Sequence, residues 1–138
     1  MLEKIDHIGI ATADVQKTIN SMKEVFGLEP GFEEIVEEQK VKAVGFNVGE
    51  SKLEFLEPTD PESPIAKYLE KKGEGMHHVA FKVDDIHAAI ELLEKKGVKF
   101  VDREPREGSE GSLVVFIYPS CFNGVLIELK EEKKETAE

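Results

Sequence analysis

The 138-residue chain has a single cysteine, Cys121, and no apolar run near the roughly 20 residues that a membrane-spanning helix needs. One cysteine cannot form an intrachain disulfide. The N-terminus, MLEKIDHIGIA, carries charge at once and has no apolar signal core. We therefore expect a protein that is neither secreted nor membrane-spanning, with a cytoplasmic location.

Arginine is also scarce, and the 29 acidic residues outnumber the 18 basic ones. The formal net charge is −11, and the only arginines, Arg103 and Arg106, lie close together in the loop-like stretch VDREPREGSEG. Such a balance disfavours long-range attraction to nucleic acid or to an anionic membrane. Any anionic ligand would need a local basic patch, and these two arginines are the best candidates for one.

Two segments of the chain resemble each other. IDHIGIATADVQKTINSMKEVFG opens the first half and MHHVAFKVDDIHAAIELLEKKG opens the second, so that His7 aligns with His78 and Asp14 with Asp85. Each segment has the pattern of a short strand, an aspartate suited to capping a helix, apolar residues at helical spacing, and a glycine at the expected helix end. The sequence therefore predicts a duplicated strand-helix unit.

Strand-like runs follow each predicted helix, at 42–48 and 52–56 in the first half and at 113–118 and 125–129 in the second. Turn-forming residues separate them, so each half is predicted to be β-α-β-β-β. We expect one α+β domain of two tandem modules, about 4–58 and 75–130, forming a cupped mixed sheet around a metal site. Ser63, Pro64 and Gly73 predict a short helix that links the modules. The acidic tail, 131–138, is predicted to be disordered.

Histidines and glutamates recur on one strand face. Side chains alternate across a strand, so each of the two aligned histidines shares a face with small residues, while each of two glutamates lies opposite its bulky neighbours. A carboxylate amid apolar strands is costly to bury unless it is paired or metal-bound, and two carboxylates with two imidazoles suit a divalent ion. Singly, each residue could be an ordinary structural or solvated one. The repeated parity favours a metal site formed by His7, Glu54, His78 and Glu128.

Three stretches, DHIGIA, SPIAKYLEKKGEGMHHVAFKVDDI and GVLIEL, resemble the methylmalonyl-CoA epimerase family of the vicinal oxygen chelate superfamily. The resemblance runs from about Ile5 to Leu129. It implies a divalent metal, most often Co²⁺, with Zn²⁺ or Mn²⁺ as alternatives, and a homodimer that belongs to propionate metabolism. The implied reaction interconverts the (2R) and (2S) forms of methylmalonyl-CoA through a metal-stabilised enolate. The family's metal positions fall on the same four residues, with glutamine in some members where this chain has Glu54.

Inversion at carbon requires proton transfer on two opposite faces of the substrate. The resemblance implies Glu128 as one base. The second base of the family falls near Ala43, which cannot carry a proton, so Glu54 is the second candidate. Arg103 and Arg106 are predicted to bind coenzyme A phosphates through their guanidinium groups. The weaker candidates for that contact, for which a surface role is at least as compatible, are Lys67, Lys71 and Lys72.

Two other functions fit the same pattern. A glyoxalase I-like lyase acting on a glutathione hemithioacetal would also use a His, Glu, His, Glu metal set, and Glu54 in place of glutamine suits it. A metal-free small-molecule-binding protein of the same fold is the alternative outside enzymology, but such a protein has no need to keep four ligand residues. The segment SPIAKYLEKKGEGMHH favours the epimerase.

Overall fold

The computed structural model describes residues 1–134, over which the chain forms eight strands and three helices. The helices are Val15–Phe26 (α1), Pro64–Lys72 (α2) and Ile86–Lys95 (α3). The strands are Leu2–Ala11 (β1), Phe32–Val36 (β2), Val41–Val48 (β3), Ser51–Pro58 (β4), Gly75–Val83 (β5), Arg106–Glu107 (β6), Leu113–Ile117 (β7) and Ile127–Glu131 (β8). None of these helices combines the length and the apolar character that a membrane crossing requires.

The strands form one mixed sheet in the order β2-β3-β4-β1-β5-β8-β7-β6. In each half the first strand pairs in parallel with the last, β1 with β4 and β5 with β8. The hairpins β2-β3, β3-β4, β6-β7 and β7-β8 are antiparallel. Each half therefore has the predicted β-α-β-β-β order. By its internal contacts the chain divides into two compact units, one of His7–His78 and the other of Met1–Asp6 with the described residues from Val79 onward.

Within the His7–His78 unit, α1 and α2 cover opposite faces of the same strands. The side chain of Asp14 caps α1 by accepting from the backbone N–H of Lys17, and Gly27 ends the helix with a φ of 67°. The core beneath α1 contains Val15, Met22, Val44, Phe46 and Phe55. The core beneath α2 contains Ala11, Val36, Val41, Ala43, Leu56 and Ile65. Because Glu54 and Leu56 have the same parity along β4, Glu54 lies on the face that α2 covers.

The other unit has a core of similar construction. Asp85 caps α3 by accepting from the backbone N–H of Ala88, and the helix packs on the bulky strand face that the sequence predicted. That core contains Val83, Ile86, Ala89, Ile90, Val115, Ile117, Ile127 and Leu129, with Val79 and Phe81 packed against it. The opposite parity in β8 belongs to Glu128 and Lys130, which are nevertheless buried.

A buried ion pair lies in this second unit. The ammonium Nζ of Lys130 donates to Oδ2 of Asp6 at 3.0 Å, and both residues are at most 2% exposed. Removing two charges from water is costly, so a pair of this kind depends on both partners being present.

In each half, a glutamate on the last strand accepts a hydrogen bond from the first residue of the helix. Glu57 of β4 accepts from the backbone N–H of Val15 at 3.0 Å, and Glu131 of β8 accepts from that of Ile86 at 3.1 Å. A negative charge at this end of a helix is favourable because the unsatisfied N–H groups give it partial positive charge. The duplication thus extends to this hydrogen bond between strand and helix, which the sequence pattern did not predict.

The structure places some boundaries differently from the sequence pattern. The last strand runs from Ile127 to Glu131 rather than over 125–129, so Glu131 is ordered within β8 and the predicted tail cannot begin there. Residues 132–134 have no regular secondary structure, and 135–138 lie outside the described residues. Glu131 belongs to β8, where its carboxylate accepts from the backbone N–H of Ile86, and disorder of the rest of the tail stays a prediction.

Candidate metal centre

Strand pairing brings His7 and Glu54 to one face of the sheet. In the parallel pair β1-β4, Gly9 is the register partner of Glu54, and His7 lies two residues before Gly9 on the same face. His7 is 2% exposed and Glu54 is 5% exposed. Two ionisable side chains are thus held away from water, as the parity of the sequence predicted.

The ring of His78, from β5, lies directly over Gly9. A methyl group built on Gly9 would lie only 2.1 Å from Cε1 of His78, far inside van der Waals contact. Only glycine leaves room for this imidazole. The sequence identified Gly9 as a small neighbour of His7, but it gave no sign that the space belongs to the second histidine.

The two imidazoles meet through their Nε2 atoms, which are 3.1 Å apart, with the ring planes at 85°. Two nitrogen ligands at about 2.0–2.1 Å from one ion are about 2.8–3.4 Å apart when the angle between their bonds lies between a right angle and the tetrahedral angle. The pair therefore has the spacing of neighbouring ligands on a single metal ion.

Glu54 supplies a second test of that fit. Its Oε2 lies 3.4 Å from Nδ1 of His7, and among the described residues this buried oxygen has no hydrogen-bond partner. A desolvated carboxylate oxygen without a donor is costly, and a cation would remove the cost. The donor chemistry of the His7–His78 unit therefore fits a divalent ion.

Glu128, in the other unit, occupies an equivalent position on its own strand. It is 4% exposed, and its register partner in the parallel pair β5-β8 is Ala80, which is fully buried. Its neighbours Ile127 and Leu129 belong to the core beneath α3. Glu128 consequently points away from that core, on the same strand face as Ala80.

The predicted second-base position is apolar. Ala43 is fully buried in the cluster beneath α2, opposite Leu56 in the β3-β4 register. No carboxylate occupies that position, as the sequence indicated.

The two arginines predicted to bind phosphate are engaged in surface ion pairs. Arg103 donates twice to Glu94, at 2.9 and 3.2 Å, and Arg106 donates twice to Asp102, at 2.7 and 3.2 Å. The hydrogen bond from Arg103 lowers the pKa of Glu94, and that from Arg106 lowers the pKa of Asp102. Both guanidinium groups remain more than half exposed. Phosphate binding by Arg103 and Arg106 stays a prediction.

The close packing of Gly9 yields a testable expectation. Changing Gly9 to alanine should weaken Co²⁺ binding by about 10- to 100-fold, because the methyl must displace the ring of a ligand histidine. Isothermal titration of the metal-free protein measures this. In the matched control, Gly31→Ala, the one close contact of the added methyl is with the side-chain amide of the exposed Asn47, and the backbone oxygen of Gly45 lies at an ordinary 3.5 Å. The Co²⁺ affinity of this variant should stay near wild type. Wild-type affinity in Gly9→Ala would contradict the assignment of His78.

Comparison with known proteins identifies several relatives. A profile of the Glyoxalase/Bleomycin resistance protein/Dioxygenase superfamily matches residues 6–116. The mitochondrial methylmalonyl-CoA epimerase of Dictyostelium discoideum is 37% identical over 130 residues, covering 94% of this chain and 78% of the relative. A structure of Streptomyces coelicolor methylmalonyl-CoA epimerase with 2-nitronate-propionyl-CoA superimposes with a TM-score of 0.93, at 37% identity over 100% of both chains. A methylmalonyl-CoA epimerase in complex with methylmalonyl-CoA and NH4+ gives the same TM-score at 38% identity, again over 100% of both chains.

Proposed function

The chain belongs to the methylmalonyl-CoA epimerase family of the Glyoxalase/Bleomycin resistance protein/Dioxygenase superfamily, and we propose that it interconverts (2R)- and (2S)-methylmalonyl-CoA. The observation that carries this proposal is the buried histidine pair, His7 and His78, with Nε2 atoms 3.1 Å apart. A protein that only sequesters a ligand has no need for such a pair. The chain is therefore an enzyme of the epimerase type rather than a metal-free binding protein.

The proposed ligand set is His7, Glu54, His78 and Glu128. Burial of all four residues and the donor types of His7, His78 and Glu128 support it, as does the unsatisfied oxygen of Glu54. A divalent ion held by these residues would act as a Lewis acid toward the thioester and carboxylate oxygens of the substrate. Mixed imidazole and carboxylate ligands are compatible with Co²⁺, Zn²⁺ and Mn²⁺, and Co²⁺ is the one we propose.

Proton movement falls to the carboxylates of the chain. We assign Glu128 to removal of the α-hydrogen on one face of the substrate and Glu54 to the opposite face, since Ala43 offers no carboxylate. The two groups would exchange the roles of base and acid in the two directions of the reaction. Burial among strands keeps both carboxylates away from bulk water, so that water does not take their place in the proton transfer.

Arg103 and Arg106 are proposed to bind the phosphates of coenzyme A. Each would exchange its present carboxylate partner for a phosphate oxygen, and exposed pairs of this kind contribute only about 0–1 kcal/mol, so the exchange is inexpensive. Guanidinium is suited to two-point contact with phosphate. A cytoplasmic homodimer within propionate metabolism stays a prediction from the sequence.

Metal-dependent exchange of the α-hydrogen tests the proposed function. Protein loaded with Co²⁺ and incubated with methylmalonyl-CoA in deuterated water should incorporate deuterium at the α-carbon, as measured by mass spectrometry. Chelator-treated protein should lose this activity and regain it when Co²⁺ is returned. The expected loss is at least about 10²-fold, because the metal stabilises the charge that develops during proton removal.

The same assay separates the epimerase from its nearest rival. The control substrate is the hemithioacetal of glutathione and methylglyoxal, which a glyoxalase I-like lyase would convert. Turnover of the hemithioacetal without exchange on methylmalonyl-CoA would overturn the proposal. Equal exchange with and without metal would overturn the metal site.

A further inference from the structure

His77 contacts the ring of His78 at Nδ1, the nitrogen that does not face His7. Nδ1 of His77 lies 2.9 Å from Nδ1 of His78, the distance of a hydrogen bond. Two nitrogens at this distance require one hydrogen between them, so one ring donates and the other accepts. Which ring donates determines what the far nitrogen of His78 can do.

The hydrogen bond with His77 is linked to the tautomer of His78. If His77 donated, a neutral His78 would carry its hydrogen on Nε2, the atom that faces His7, and would have no lone pair there for a metal. If His78 donates from Nδ1, its Nε2 keeps the lone pair and His77 is the acceptor. Only the second arrangement allows His78 to be a ligand.

We propose that His77 is a positioning residue for the metal centre. It accepts from Nδ1 of His78 and so fixes both the tautomer and the ring plane in which His78 presents Nε2. Metal-binding histidines commonly have such an acceptor behind them, usually a carboxylate or a carbonyl. Here the acceptor is another imidazole. The inference rests on the proposed metal site and names one of its outer contacts.

The position of His77 is itself fixed from α2. Its ring packs edge-to-face on Tyr68, with centroids 5.0 Å apart and planes at 86°. The hydroxyl of Tyr68 donates to the carbonyl oxygen of Met76 at 2.6 Å, which ties α2 to the residue before His77. Lys72 lies with its Nζ 5.7 Å from the centre of the Tyr68 ring. Contacts with Tyr68 of α2 therefore restrict the position of the His77 ring.

The duplication does not copy this arrangement. In the repeat, the residue that corresponds to His77 is Asp6, whose carboxylate accepts from Lys130. His7 instead has Glu54 next to its Nδ1, at 3.4 Å. The Nδ1 atoms of the two proposed ligand histidines thus have different neighbours, Glu54 for His7 and His77 for His78.

Two substitutions of His77 separate positioning from packing. His77→Phe keeps a ring against Tyr68 but removes the acceptor. His77→Asn loses the ring, yet it places an acceptor oxygen the same number of bonds from Cα as Nδ1. We expect Phe to weaken Co²⁺ binding by about 10- to 100-fold and Asn to stay within a few-fold of wild type. Competition with a chromophoric chelator measures the dissociation constants.

The melting temperature of the metal-free protein should be unchanged in His77→Phe, and His87→Phe, on the exposed surface of α3, should leave Co²⁺ affinity unchanged. Wild-type affinity in His77→Phe, or equal losses in Phe and Asn, would overturn the role of His77 while the proposed function stands. Failure of the wild-type protein to bind Co²⁺ would overturn both. Binding that depends on His77, without deuterium exchange, would remove only the epimerase assignment.

Discussion

Glu128→Gln should lower the rate of epimerisation by about 10²- to 10⁴-fold, the range that a positioned acid or base contributes. Glutamine keeps the shape of the side chain and an oxygen that can bind metal, but it cannot take up a proton at neutral pH. The burial of Glu128 makes replacement of its function by bulk water difficult. Conversion of one epimer to the other, followed by chiral chromatography, measures the effect.

Deuterium exchange on each separate epimer refines this expectation. If Glu128 serves one face of the substrate, Glu128→Gln should lose exchange for one epimer and keep it for the other. Glu24→Gln, on the exposed surface of α1, is the control and should behave as wild type. Metal content must be measured alongside, because loss of the ion would also stop exchange. A near-normal rate with full metal content would remove Glu128 from the mechanism.

Lys130→Met should lower the free energy of unfolding by about 3–5 kcal/mol, because it removes the ammonium that faces a carboxylate only 1% exposed. Methionine fills most of the volume of the lysine stem, so the loss reports on charge more than on packing. Urea unfolding of the metal-free protein, followed by circular dichroism, gives the free energy directly.

The double variant Asp6→Asn with Lys130→Met tests the cause. Removing both charges should restore most of the stability, since replacing a whole buried pair by neutral groups is often nearly neutral. Lys82→Met is the matched control. Lys82 is the register partner of Lys130, but its ion pairs with Glu3 and Glu132 are partly exposed. The free energy of unfolding of the Lys82→Met variant should therefore stay near that of the wild type. Equal losses for Lys82→Met and Lys130→Met would contradict the special cost of the buried pair.

Strand parity was sufficient to predict the direction of each proposed ligand within its own strand. His7, Glu54, His78 and Glu128 are all buried, and the direction of each side chain was predictable because the period of two leaves only two possibilities. The helix starts at Asp14, Ser63 and Asp85 were predictable for a similar reason, since capping is a local interaction.

Contacts that depend on register and on side-chain reach could not be predicted. Nothing in the sequence relates Gly9 to the ring of His78, because that contact depends on how two distant strands are paired. The ion pairs of Arg103 and Arg106 depend on the path of a loop, for which local patterns are weak. The hydrogen bond between His77 and His78 depends on the rotamers of both rings, which the sequence does not specify.

The last strand of each half carries two carboxylates three residues apart, Glu54 with Glu57 and Glu128 with Glu131. An odd spacing sends them to opposite faces, one toward the ligand side and one to the start of the helix. Insertion or deletion of a single residue between them would reverse one of these directions. Gain or loss of residues should therefore be tolerated only at the ends of β4 and β8, and the length of chain between each pair is as constrained as the residues themselves.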